Sequence, residues 1–85
     1  MHESGVLKSL IEALDETSRA YGGRKINAIN VEISEFSGFD DEHFREHFEQ
    51  DTQGTSWQSV RLIIQRVPYG EPVKLVSVTF SEEGA

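Results

Sequence analysis

Three residues at the start of the chain, Met1, His2 and Glu3, have the types and the spacing needed to chelate a metal ion. The α-amine of Met1, the backbone nitrogen of His2 and the His2 imidazole can close two adjacent small rings, which leaves one in-plane position for a fourth donor. Ni(II) and Cu(II) suit such square-planar sites of nitrogen and oxygen ligands. The competing interpretation is that both side chains are simply solvated, as chain ends usually are.

The helix that follows sets a condition on any such chelate. Ser4 to Tyr21 carries apolar residues at helical spacing, and Gly22-Gly23 supplies a left-handed stop. The N-terminus of a helix carries about half a positive charge and repels a cation unless carboxylates or deprotonated ligands offset it. Glu3 is one such carboxylate, so a cation site here requires another.

The next two elements offer a candidate for the second carboxylate. Ile26 to Ser34 alternates apolar and polar residues and predicts a strand. A connection rich in turn residues then leads to a second helix from about Asp41 to Gln50, whose core-facing stripe is Phe44 and Phe48. Asp40 is the expected N-cap of this helix, a role worth about 1 kcal/mol. On local grounds alone, capping is the better explanation of Asp40.

Two further strands are predicted, Ser59 to Val67 and Val73 to Phe80, joined by a tight connection at Pro68-Tyr69-Gly70. Their proximity in sequence predicts a hairpin. The order α-β-α-β-β indicates an α+β fold, a small three-stranded sheet with two helices on one face, because each helix has one apolar stripe to bury. At this length we expect residues 1–85 to form a single domain.

Composition excludes several classes of function. Eight Lys and Arg against fifteen Asp and Glu give a net charge of -7, without any basic stripe, so neither nucleic acid nor an anionic membrane is an expected partner. The chain has no cysteine, hence no thiolate zinc site and no cysteine nucleophile. No nucleophile motif, phosphate-binding loop or paired carboxylates indicate an enzyme. With no long apolar run or signal-peptide pattern, we expect a cytoplasmic protein.

Two further sets of residues admit alternatives. His43 and His47 lie four apart on the second helix, a spacing that can place two imidazoles on one metal. No third ligand is evident, so we interpret them as boundary residues beside the core. Trp57 and Tyr69 could anchor a partner protein, but aromatic residues more often cover the edge of a small core. The sequence favours the structural interpretation for both sets.

Taken together, these segments resemble the nickel-binding domain of the HypA family. The resemblance rests on the opening MHE followed directly by a helix, the segment INVEISEFSGFD, the helix with Phe44 and Phe48, Gly54-Thr55, Val67-Pro68 and the closing KLVSV. It implies that Met1, His2 and Glu3 contribute nickel ligands and that Asp40 takes the acidic role. It also implies that the chain is a metallochaperone for [NiFe]-hydrogenase maturation, or for urease in some organisms.

The resemblance has one large departure. Family members carry a zinc domain with paired C-x-x-C motifs between the last two strands, whereas here the turn Val67 to Pro72 occupies that place. We therefore expect Ni(II) as the metal and no zinc. The sequence does not distinguish a natural relative that lost the insertion from an engineered nickel domain. Ser4-Gly5 also departs from the family pattern, and Gly5 weakens the first helical turn by up to about 1 kcal/mol.

Two functions follow from these observations. In the first, the chain is a monomeric nickel carrier whose partners, implied by the resemblance, are a maturation GTPase or a hydrogenase large-subunit precursor. In the second, it is a metal-free interaction module that keeps the fold and has lost nickel delivery. Retention of Met1-His2-Glu3 and Asp40 favours the first, and loss of the cysteines favours the second.

Overall fold

The structure is a computed structural model that describes residues 3–81, and its elements follow the predicted order. None of the helices described is long and apolar enough to cross a membrane. The elements are α1 Glu3–Ala20, β1 Ile26–Ser34, a 3₁₀ turn Glu35–Ser37, α2 Asp41–Thr52, β2 Arg61–Val67 and β3 Val73–Phe80. The predicted α+β class and the order α-β-α-β-β are therefore confirmed.

Helix α1 forms because its apolar residues repeat with the helical period and share one face. Leu7, Leu10 and Leu14 on that face are buried. The helix ends where Gly22 and Gly23 adopt left-handed backbone angles, with φ values of 74° and 79°. There the Gly23 amide donates to the Ser18 carbonyl at 2.8 Å, so the double glycine gives α1 the C-terminal stop that was predicted.

The sheet has the strand order β2-β1-β3, so the prediction of a hairpin between β2 and β3 is wrong. Strand β1 lies in the centre, parallel to β2 and antiparallel to β3. Parallel neighbours cannot be joined by a tight turn and need a crossover connection. Helix α2 provides that crossover, and the chain then passes to the far side of β1 before β3 begins.

The central position of β1 follows from its apolar inner face. Ile29, Val31 and Ile33 are almost completely buried, so this strand gains most from having partners on both sides. The connection from β2 to β3 must span two strand spacings, about 10 Å, which residues 68–72 can do. It crosses the end of β1, where the Ser34 amide donates to the Pro72 carbonyl at 3.2 Å.

Both helices pack on the inner face of β1. The leucines of α1 and the aromatic pair Phe44 and Phe48 of α2 join the strand residues in one apolar core. Trp57 belongs to this core, with 7% of its surface exposed, and its indole Nε1 donates to the Asp15 carboxylate at 2.9 Å. The structural interpretation of Trp57 is thus correct.

The packing predicts a large difference between two isoleucines of the sheet. Ile29→Val removes a methylene group from a fully buried site and should lower the free energy of unfolding by about 0.5–1.5 kcal/mol. Ile63→Val makes the same change at a site that is 39% exposed, and we expect an effect within about 0.5 kcal/mol. Urea unfolding followed by Trp57 fluorescence measures both. Equal losses would contradict the assignment of the inner and outer faces.

Candidate functional site

The predicted nickel ligands divide into two groups. Met1 and His2 lie outside the residues that the structure describes. Glu3 lies in the first turn of α1, and Asp40 immediately precedes α2. The described part of the candidate site consists of these two carboxylates and the side chains around them.

Glu3 reaches across from α1 to α2. Its Oε1 atom lies 2.7 Å from His47 Nδ1 and 3.8 Å from His43 Nδ1. The Glu3 side chain is only 14% exposed, although it belongs to the first turn of its helix. When Nδ1 of His47 carries a proton, that nitrogen donates to the carboxylate. This contact fixes the start of α1 against the side of α2.

Asp40 is the N-cap of α2, as predicted. Its Oδ2 atom accepts a hydrogen bond from the His43 amide at 3.1 Å, which satisfies one of the unpaired amides at the helix start. His43 thus has the Asp40 carboxylate on its backbone and the Glu3 carboxylate near its ring. The two predicted acidic ligands are thus both near His43, Asp40 at its backbone amide and Glu3 at 3.8 Å from its ring.

The loop that carries Asp40 is built by local hydrogen bonds. The Ser34 hydroxyl accepts from the Phe36 amide at 3.1 Å, and the Ser37 hydroxyl accepts from the Phe39 amide at 3.0 Å. Between them, Gly38 takes a left-handed conformation with φ of 79°, which a residue with a side chain adopts at a cost. These contacts turn the chain sharply from the end of β1 to the start of α2.

Arg66, near the end of β2, holds this loop from the side. Its Nη1 atom donates to the Phe39 carbonyl at 2.8 Å and to the Asp41 carboxylate at 2.9 Å, and Nη2 lies 3.5 Å from Glu35 Oε2. Phe39 and Asp41 are the neighbours of Asp40 on either side. One planar guanidinium therefore fixes the backbone before Asp40 and the side chain after it.

The environment of Arg66 favours the protonated, positively charged form of its guanidinium. Partial burial acts to lower the pKa of the guanidinium, but the hydrogen bonds and the negative charges of Glu35 and Asp41 outweigh it, so the pKa of Arg66 lies above its ordinary value. The group stays protonated wherever the protein is folded. Arg66 also neutralises part of the negative charge that Asp40, Asp41 and Glu42 place at this end of α2.

Sequence reasoning missed two parts of this site. The pair His43 and His47 was interpreted as structural because no third ligand was evident, yet Glu3 approaches both rings. The helical spacing of the histidines was the available signal, but Glu3 is 44 positions away from His47. The sequence did not indicate that Arg66 binds the Asp40 loop, because an arginine at a polar position of a strand is most simply explained by exposure to solvent.

Two other surface features lie apart from these carboxylates. An apolar groove of about 730 Å³ runs between α1 and β3, with Val6, Leu10 and Leu75 in its lining. Phe36 and Tyr69 are 80% and 77% exposed, and their rings stack with centroids 6.1 Å apart. The interpretation of Tyr69 as a cover for the core is therefore wrong, because its ring packs on Phe36 in solvent.

The site offers oxygen and nitrogen donors on a surface of negative charge, which suits a divalent cation. Among residues 3–81, no group of three or more His, Cys, Asp and Glu side chains is already arranged to hold a metal ion. The two carboxylates can therefore complete a site only with donors from elsewhere, or with some movement of the side chains. Carboxylate and imidazole groups bind nickel and other first-row divalent metals.

Comparison with known proteins gives consistent matches. A family model described as "Hydrogenase/urease nickel incorporation, metallochaperone, hypA" matches residues 1–71. The chain is 34% identical over 68 residues to a protein of Geobacter metallireducens and 37% identical over 68 residues to one of Geobacter sulfurreducens, both named hydrogenase maturation factor HypA. Each match covers 80% of this chain and 59% of the relative. The chain thus spans about three fifths of these relatives.

A solved structure has the same fold. The solution structure of the Ni metallochaperone HypA from Helicobacter pylori matches with a TM-score of 0.79, covering 94% of this chain and 97% of that one. The two sequences are 20% identical over this match. At that identity the likeness establishes the shared fold.

The contacts of Arg66 yield a test of how the Asp40 loop is held. Arg66→Gln removes hydrogen bonds from a charged donor, and we expect a loss of about 1–2 kcal/mol in the free energy of unfolding. Amide exchange at His43 and Phe44, the first turn of α2, should become faster. Arg61→Gln, at an exposed position of the same strand, is the matched control and should change neither quantity. Unaltered exchange in the Arg66 variant would show that the loop does not depend on this arginine.

Proposed function

Because the chain belongs to the HypA family, we propose that it is a nickel-carrying domain that serves [NiFe]-hydrogenase maturation and is not an enzyme. The observation that carries this proposal is that Glu3 and Asp40 both lie near His43. Glu3 belongs to the first turn of α1 and directly follows the proposed chelating terminus, and Asp40 caps α2. Nickel is the cargo of such a protein, bound for transfer to another.

The proposed site combines the terminus with these carboxylates. The Met1 amine, the His2 backbone nitrogen and the His2 imidazole would supply three donors in a plane, and Glu3 or Asp40 would supply an oxygen. In the sequence, Glu3 directly follows the two residues that would supply the nitrogen donors. The Glu3 side chain contacts His47 of α2. Asp40 is the N-cap of the same helix.

The acidic residues near the proposed site favour a bound cation, although the positive ends of two helix dipoles lie nearby and oppose it. The first turns of α1 and α2 each carry acidic residues, Glu3 in α1 and Asp41 with Glu42 in α2. Their carboxylates, together with Asp40, oppose the positive ends of both helix dipoles. Deprotonation of the His2 backbone nitrogen on nickel binding would add a further negative charge to the site.

The remaining parts of the proposal concern delivery. We propose that residues 1–85 act as a single, monomeric, cytoplasmic domain with Ni(II) as its metal and no zinc. Its partner would be a hydrogenase maturation GTPase or a large-subunit precursor, and urease is a second possible client.

One observation favours the alternative of a metal-free interaction module. Phe36 and Tyr69 form an exposed aromatic pair on the side of the molecule where the β2–β3 connection lies, and aromatic side chains are common anchors of protein interfaces. A module of this kind would use that pair and would not need the terminal amine. The two proposals differ in whether nickel binds at all.

Adding four residues, Gly-Ser-Gly-Ser, before Met1 tests the terminal chelate directly. The extension moves the free amine away from His2 and leaves every side chain in place, including His2, Glu3 and Asp40. A single added residue is unsuitable, because a histidine in third position closes a four-nitrogen square-planar chelate of its own. We expect nickel affinity, measured by calorimetry, to fall by about tenfold or more in the extended protein, and His2→Ala should have a similar effect. Unchanged affinity after the extension would exclude Met1 as a ligand. Absence of nickel binding by the native chain at tens of micromolar would favour the interaction module.

Two substitutions at Asp40 separate its cap role from its proposed ligand role. Asp40→Ala removes both functions and should lower the free energy of unfolding by about 0.5–2 kcal/mol. Asp40→Asn keeps an equally good N-cap but loses the negative charge, so stability should stay near that of the native protein while nickel binding weakens. Urea unfolding and nickel calorimetry on both variants give the comparison. Native nickel affinity in Asp40→Asn would remove Asp40 from the ligand set.

A further inference from the structure

We propose that Glu3, His43 and His47 form a second Ni(II) site, made of side chains alone, beside the proposed terminal chelate. The choice of Ni(II) as the metal rests on the proposed function. The site itself does not use the Met1 amine or any donor of His2. It would share Glu3 with the terminal chelate. Its ligands come from the first turn of α1 and from two successive turns on one side of α2.

The distances around Glu3 suit a common metal. Six-coordinate first-row divalent metals hold nitrogen and oxygen ligands at roughly 2.0–2.2 Å, so adjacent ligands, at right angles on the ion, lie about 2.8–3.1 Å from each other. Glu3 Oε1 lies 2.7 Å from His47 Nδ1 and 3.8 Å from His43 Nδ1, values on either side of that range. Nδ1 of each ring faces the same Glu3 oxygen, so the three donor atoms of the proposed site already lie close together.

The other side of His47 has the environment of a metal-binding histidine. Its Nε2 atom lies 3.7 Å from Asp51 Oδ2, one helical turn further along α2. Histidine ligands commonly donate the second ring nitrogen to a carboxylate, which orients the ring and fixes the tautomer. With the metal on Nδ1, the proton of the neutral His47 ring resides on Nε2 and faces Asp51. Because Nδ1 donates to Glu3 in the metal-free protein, nickel binding would move the proton of the neutral ring from Nδ1 to Nε2.

One side chain has to move to close the site. The ring centroids of His43 and His47 are 6.5 Å apart, whereas two imidazoles at adjacent positions of one ion have centroids about 4.5 Å apart. His43 is 71% exposed, so its ring can turn toward Glu3 without displacing core residues. His47 and Glu3, at 27% and 14% exposure, already hold their positions and form the fixed half of the site.

The two sites differ in coordination. The terminal chelate imposes four ligands in a plane, with strongly binding amine and amide nitrogens. Two imidazoles and one carboxylate leave further positions to water, which gives a six-coordinate, paramagnetic Ni(II) ion in place of a diamagnetic one. Paramagnetic broadening of the His43 and His47 ring signals in NMR spectra therefore reports the side-chain site alone.

The test uses the protein with the Gly-Ser-Gly-Ser extension before Met1, because this extension moves the amine away from His2 and leaves the side-chain site whole. Titration with NiCl₂ should still show binding in this protein, with broadening of the His43 and His47 ring signals. Adding His43→Asn and His47→Asn to the extended protein should abolish that binding. Asp51→Asn should weaken it by about tenfold. Glu46→Gln, an exposed position of α2 between the two histidines, is the matched control and should leave it unchanged.

The outcomes separate this inference from the proposed function. If the extended protein binds no nickel while the native protein does, the side-chain site is wrong and the terminal chelate stands. Binding that survives both histidine substitutions also overturns the side-chain site. If native and extended proteins bind equally, and both lose nickel with the histidines, the side-chain site holds and the terminal chelate fails.

Discussion

The arrangement of this domain depends on one constraint, the need of strand β1 for a partner on each edge. Its inner face is the most completely buried part of the sheet, and a strand so buried must satisfy all of its backbone groups. Pairing with β2 in parallel requires a crossover, which α2 supplies. The crossover starts at the carboxyl end of β1, so the loop with Asp40 emerges there. Arg66 reaches this loop because β2 runs parallel to β1 and ends at the same edge.

The elements of the fold were largely predictable from the sequence, whereas their pairing was not. The bounds of β1 and β3 agree with the predicted ones, because alternation in β1, β-branched content in β3 and turn residues at their ends are local signals. The order β2-β1-β3 depends on which strand gains most from a central position in the sheet, and this requires a comparison of all three strands. Local turn chemistry favoured a hairpin across Pro68-Tyr69-Gly70, but the apolar face of Ile29, Val31 and Ile33 decided the outcome.

The candidate site shows the same division. The N-cap role of Asp40 follows from its position before an amphipathic segment and is confirmed. Contacts between helices carry no such signal. The spacing of His43 and His47 indicates that they share one face of α2, but the sequence does not indicate that Glu3 packs against that face. It also does not indicate that Arg66 binds the residues on both sides of Asp40. These contacts depend on how the two helices lie across the sheet, which only the three-dimensional structure provides.

The contacts of the two carboxylates also bear on how tightly a cation could be held. Glu3 Oε1 is engaged with His47, and Asp40 Oδ2 caps α2. A metal that took either oxygen would have to replace or share an existing hydrogen bond, so part of the free energy of metal binding would be offset by the loss of that bond. The same hydrogen bonds would re-form after the metal left. Ligands with alternative partners therefore lower the affinity and ease dissociation, which is the balance that a protein carrying a metal to another protein requires.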